Sequence, residues 1–231
     1  MSELLDKIAQ HGRWEVTIRP EKFDALRVAN ISDLEPILRK AQVNGRYGFP
    51  FLPTQRAEVE LGVDRISYPI EKYHVLESWA FFQSGLFYHV AGFADDWRSD
   101  AWWKPPPTWK PDQQLEVMGT LGRFLEIFQL AASLALSPAG SSRTFIEINL
   151  IGLKGREIWI QSPRRMGFYP GQYPRATIDR LPFKETFDTV ELEGRHRELA
   201  MGVTSRLFQR FHWNVEAATI LDLAAEALPQ R

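Results

Sequence analysis

The chain has 231 residues, 44% of them hydrophobic and 25% charged, with a net charge of −1 and no cysteine. That length carries one large domain or two small ones with a real core, and the near-neutral charge leaves no global field to draw the chain to nucleic acid or membrane. The absence of cysteine excludes disulfides, thiolate nucleophiles and cysteine-held metal or iron–sulfur sites, and it fits a cytoplasmic protein.

Residues 2-SELLDKIAQHG-12 predict a short helix, capped by Ser2, with Leu4, Leu5 and Ile8 on one face and Gly12 as its stop. The segment lacks the basic start and apolar stretch of a signal peptide. In 14-WEVTIRP-20 the alternation of Trp14, Val16 and Ile18 with Glu15, Thr17 and Arg19 predicts a half-buried strand ended by Pro20. A helix over 32-SDLEPILRKAQ-42 follows, then an ordered loop, 45-GRYGFPFLPT-54. Alternation in 56-RAEVELGVDR-65 predicts a strand with Ala57, Val59, Leu61 and Val63 inward.

The stretch 79-WAFFQSGLFYHV-90 predicts a hairpin. With Ser84-Gly85 as a two-residue loop, Phe82 opposes Phe87, Phe81 opposes Tyr88 and Ala80 opposes His89. His89 then shares a face with Ala80, Phe82, Phe87 and Ala91, as a core histidine inside the sheet. Residues 95-DDWRSDAWWKPPPTWKP-111 form a proline- and tryptophan-rich connector, the best internal boundary in the chain. A long helix is predicted over 112–137, apolar nearly all round beyond Glu126 and so buried on most sides. Its charge-free run 127-IFQLAASLALSPAGSS-142 holds Pro138 and Gly140 and is shorter than the ~20 apolar residues of a membrane span.

In 144-TFIEINLIGLKGREIWIQ-161 a second hairpin is predicted around Lys154-Gly155. Residues 162–183 carry four prolines and two glycines and are expected to be irregular. Two helices, near 195–212 and 215–228, close the chain, the first striped by Leu199, Val203, Leu207 and Phe211. The predicted fold is α+β: a mostly antiparallel sheet of hairpins packed by helices, in a single domain over 1–231 that would divide, if at all, at the connector.

Five strings, 12-GRWEVTIRP-20, 48-GFPFLP-53, 79-WAFFQSGLFYHV-90, 126-EIFQLAASLAL-136 and 146-IEINLIGLKGREI-158, resemble a set of uncharacterised bacterial protein regions. Those regions follow Schlafen-like, Alba-type domains described as DNA-binding. The likeness spans most of residues 12–160 and fades in the last third. It brings no catalytic residues to carry over, and the chain is expected to begin directly at the region, without the preceding domain. The resemblance implies an accessory module in a multi-protein bacterial system such as anti-phage defence.

Tests for chemistry are mostly negative. His11, His74, His89, His196 and His212 form no i,i+4 pair and no H-E-x-x-H, which favours surface or packing histidines over ligands. Ser84 lacks the strand-to-helix setting of a nucleophile elbow. No P-loop occurs, and Gly119 and Gly122 are expected to be close-packing points in the long helix. No acid-x-lysine step of the two-metal nucleases is present. The Asp95-Asp96 pair is expected to cap a loop rather than to hold a metal. No cofactor or metal is expected.

Two segments stand out positively. Residues 154–184 hold seven bases against two acids, a local charge of +5, interleaved with aromatics. Lys154, Arg156, Arg164, Arg165 and Arg175 are the nucleic-acid-binding candidates, since arginine forks grip phosphate and exposed rings stack bases. In the connector, Trp102, Trp103 and Trp109 beside Pro105–Pro107 are the partner-binding candidates. The leading expectation is a non-enzymatic binding and assembly module, cytoplasmic and not in a membrane, with a protein partner or a second copy. Direct nucleic-acid binding through 154–184 is one alternative. A hydrolase whose site assembles from distant acids and His89 or His196 is the other.

Overall fold

A computed structural model describes residues 2–44, 48–55, 58–72, 75–100, 110–160 and 173–227. The first strand, β1 (Arg13–Pro20), alternates as its sequence does, with Trp14, Val16 and Ile18 buried. It sits in the middle of the sheet. On one side the chain builds a meander, β2 (Glu60–Leu61), β3 (Arg65–Lys72), β4 (Val75–Phe82) and β5 (Phe87–Gly92), which returns β5 to pair with β1. On the other side lie β7 (Arg143–Ile151) and β9 (Arg180–Asp188). The order is β2-β3-β4-β5-β1-β7-β9, with every neighbouring pair antiparallel. The α+β class is as the hairpin-rich sequence predicts. A separate parallel pair joins β6 (Gln114–Glu116) to β8 (Glu157–Trp159).

The inward face is covered by helices. α3 (Val117–Ala135) buries Leu121, Phe124, Leu125, Phe128 and Leu130, matching its apolar circumference. α2 (Leu34–Ala41), α4 (Thr189–Gln209) and α5 (Ala217–Ala227) complete the layer. One continuous core cluster contains residues from Trp14 to Leu223, on both sides of the connector. On the opposite face α1 (Ser2–Ile8) packs Leu4 and Ile8 against Leu76, Val90 and Trp97. No helix among the described residues is long and apolar enough to cross a membrane.

Several expectations are corrected. The 79–90 hairpin is inward-facing, with His89 fully buried, but its register is one residue off: Phe81 opposes Phe87, Ala80 opposes Tyr88 and Trp79 opposes His89. The loop has three residues, since Phe82 N–H donates to Leu86 O and Gly85 N–H to Phe82 O. Gly85 takes φ +83°, the left-handed residue that closes such a loop, and a Cβ there would lie 2.2 Å from Ala139 O. The slip moves the set facing His89 to Trp79, Phe81, Phe87 and Ala91.

Arg56 and Ala57 lie outside the described residues, and from Glu58 to Asp64 the chain pairs only over Glu60–Leu61 before β3 starts at Arg65. Val59 is buried, but Leu61 and Val63 are exposed, because Gly62 N–H bonds Arg65 O and turns the chain at the sheet's edge. Residues 144–161 are not a hairpin. Both edges of β7 are taken, by β1 and by β9, so β8 leaves to pair with β6. β9 falls partly in the stretch expected to be irregular. Its Pro182 and its charges are the composition of an edge strand. The long helix begins at Val117, after β6, and at 19 residues is shorter than the 21-residue α4, which begins at Thr189 rather than 195. Gly122 has open space where a Cβ would stand, so it is not a close-packing point.

Candidate functional site

Two clusters of charge lie inside the fold. The first forms where the turn after β7 meets both ends of the connector. Arg156 is fully buried, and its five N–H groups all have acceptors. Nη1 donates to Asp96 Oδ1 at 2.7 Å and to Gln114 O at 2.9 Å. Nη2 donates to Asp96 Oδ2 at 2.6 Å and to Asp112 Oδ1 at 3.0 Å, and Nε donates to Gly152 O at 2.5 Å. The guanidinium also lies 4.9 Å over the Phe93 ring. Asp96 is equally saturated: beyond the two arginine bonds it accepts from Gly12 N at 3.1 Å and from Asp112 N at 2.8 Å. This fork-on-fork geometry is the strong form of the arginine–carboxylate pair.

Local structure explains why the pieces meet. Asp96 lies on a 3-10 helix, Ala94–Asp100, held to the strand end by Phe93 N–H donating to Gly12 O. Gly12 is required there, since a Cβ would lie 2.3 Å from Arg156 Nη2. Asp112 adopts φ +61° and accepts at Oδ2 a 2.8 Å contact from His11 Nδ1. His11, Asp96 and Asp112 place ligand-capable atoms within 4.8 Å of one another, and the two carboxylates among them already hold the Arg156 guanidinium. Neighbouring Asp95 bonds Glu116 N at 2.8 Å beside the start of α3, so the aspartate pair organises loops as its sequence suggested.

The second cluster lies under the helices. Glu77 and His89 occupy inward positions on β4 and β5, 2% and 0% exposed. His89 Nε2 stands 3.3 Å from Glu77 Oε2, off the axis of a well-formed hydrogen bond, and Nδ1 has no partner among the described residues. Glu77 Oε1 accepts from Phe51 N at 3.0 Å. From α3, Arg123 approaches Glu77 at 4.0 Å and Glu126 at 3.6 Å and stacks 4.7 Å over Phe49. The 48–53 loop roofs the pair, with Trp79 Nε1 donating to Phe51 O and Gln42 Nε2 to Pro50 O. Burial pushes His89 below its ordinary value, against the pull of Glu77. Burial pushes Glu77 up, but His89, Arg123 and the Phe51 N–H outweigh it and hold the carboxyl below its usual range. Glu126 is raised, chiefly by burial.

The residues expected from sequence are scattered. Arg156 cannot contribute to an exposed basic surface, because it is buried and saturated. Lys154 is exposed at its turn. Arg175 is exposed and pairs with Glu157. Arg164, Arg165, Trp102, Trp103, Trp109 and His74 lie outside the described residues. His196 is half-buried, with Nδ1 near Glu193 O. Glu77 was legible as a signal and overlooked: it stands in phase with the inward Trp79 and Phe81. No family model, curated protein or solved structure matches the chain.

Proposed function

We propose that the protein is a non-enzymatic binding and assembly module, working beside an effector or nucleic-acid-acting protein in a bacterial multi-protein system such as anti-phage defence. The observation that carries this reading is the clasp. Asp96, at the start of the connector, and Asp112, just after its end, bracket its tryptophans in sequence, and one arginine grips both. The segment holding Trp102, Trp103 and Trp109 therefore starts and ends on a fixed base, which lowers the ordering cost of using it for contact. Closure of the Glu77–His89 pair weighs against the hydrolase alternative, since a reacting group must reach its general base. The commitment of Arg156 to Asp96 weakens the basic-surface alternative.

Tagged protein recovered from its native host would identify a partner, and calorimetry with that partner purified would give the affinity. The triple variant Trp102→Ala/Trp103→Ala/Trp109→Ala is expected to lose at least tenfold. Equal affinity would sink the role of the connector. Fluorescence anisotropy with single- and double-stranded DNA and RNA supplies the opposing arm. Salt-sensitive binding that Arg164→Ala/Arg165→Ala/Arg175→Ala removes would put nucleic acid first.

A further inference from the structure

Among the described residues His89 is the one histidine that the fold encloses completely. Neither of its ring nitrogens makes a well-formed hydrogen bond there. A buried imidazole so placed is costly to charge, because nothing in its pocket replaces the water that an imidazolium needs. What separates it from water is the 48–53 loop, whose Phe49 ring stands edge-on to the imidazole at 5.0 Å.

The loop is tied unevenly. Four hydrogen bonds hold it to α2 and the residues just after. Phe49 and Val43 exchange both backbone bonds at 2.9 Å, Gln42 Nε2 donates to Pro50 O at 2.9 Å, and Arg39 Nη2 to Pro53 O at 2.9 Å. Among the described residues its hydrogen bonds to the sheet are both at Phe51. The Phe51 N–H donates to Glu77 Oε1 at 3.0 Å, and Phe51 O accepts from Trp79 Nε1 at 2.8 Å. One of these two ties therefore ends on the carboxylate that stands 3.3 Å from His89.

The charges around His89 are few. β4 brings Glu77, and α3 brings Arg123, 4.0 Å from Glu77 and 3.6 Å from Glu126. The loop, β1 and β5 bring Phe49, Val16 and Phe87, which do not titrate. An imidazolium here would compete with the Phe51 N–H for Glu77, face the Arg123 cation, and remain dry until Phe49 moved.

We propose that the 48–53 loop is an acid-released latch: a proton taken up at His89 frees Phe51 from Glu77 and lifts the loop, with Phe49, off β4 and β5. The sign follows from burial. The closed form holds His89 below its ordinary value, and the open form returns it toward about 6.5. The open form thus binds more protons, and each pH unit below that value raises the open fraction by up to about tenfold. Glu77, also lowered when closed, adds to this below the ordinary carboxylate range. Above about pH 6.5 the latch stays shut. The latch is independent of the assembly reading, so either can fail alone.

Amide hydrogen exchange of the full chain, followed by NMR from pH 7.5 to 5 and corrected for intrinsic rates, tests it. Phe51 N–H is expected to be protected at least tenfold less than Ile148 N–H in the central β7, and to lose about a further tenfold between pH 6.5 and 5.5. His89→Gln should flatten that loss. In wild type the His89 ring signal, which needs no variant, should titrate below about 6.5. Phe51 exchanging at the rate of Ile148 would mean that the loop opens only with the whole fold, and overturns the latch. So does Phe51 protection that ignores pH, a loss that persists in His89→Gln, or a His89 ring that titrates at or above its ordinary value.

Discussion

The two buried ionic clusters differ in how completely they are satisfied. Around Arg156 five donors meet five acceptors, and the facing Asp96 receives four bonds. Around Glu77 the nearest cation stands 4.0 Å away and the histidine contact is off-axis. Buried charge becomes favourable only when attraction and hydrogen bonds together replace lost water. The clasp meets that condition and acts as a rivet between distant segments. The Glu77–His89 pair meets it partly, so its balance depends on pH.

The largest expected effect is at the rivet. Arg156→Met leaves Asp96 buried without its cation and should cost about 3–5 kcal/mol, near 10 °C in melting temperature for a domain of this size at roughly 2–4 °C per kcal/mol. Denaturant titration measures it; a cost under about 1 kcal/mol would make the clasp no better than a surface pair. Next is Glu77→Ala, which strands the Phe51 N–H and removes the neighbour of His89. About 1–3 kcal/mol is expected from an unsatisfied buried donor, less than at Arg156, and the reverse order would invert the comparison.

A third prediction separates the clusters by pH. His89 titrates lower folded than unfolded. As pH falls below its ordinary value of about 6.5, the unfolded chain takes the proton first and stability drops. Glu77, also lowered, adds a further loss once pH falls below the ordinary carboxylate range. Urea midpoints at successive pH values should show the first slope in wild type and Arg156→Met alike and lose it in His89→Gln, which keeps a donor at Nε2. An unchanged slope in His89→Gln would assign it to other groups. The smallest effect is local. Glu116 caps α3 by accepting from Gly119 N, and Glu116→Ala should cost about 1 kcal/mol, read as a midpoint shift.

Much of the fold was legible because its signals are local. The alternation of Trp14, Val16 and Ile18 depends on the pleat alone, and the apolar circumference of α3 on helical pitch alone. Leu61 and Val63 were misread because alternation does not say where a strand stops pairing. The hairpin at 79–90 slipped by one because Gln83 bonds Asp64 and the 27–28 backbone rather than extending either strand. β9 stayed hidden because a charged, proline-bearing edge strand looks like a loop. The candidate site was least legible: Arg156 sat in a run of bases and was grouped with them.

By itself the sequence determined an α+β chain with aromatic strands, a buried helix within 112–137 and no cysteine chemistry, while the pairing of β6 decided that the helix starts at Val117. Tertiary structure alone decided which charges went inside and what answers them. Arg156 and Asp96 are 60 residues apart, and Glu77 meets an arginine on another element. Side-chain periodicity is set by each residue's own backbone, whereas desolvation and pairing are set by whatever the folded chain brings within a few ångströms.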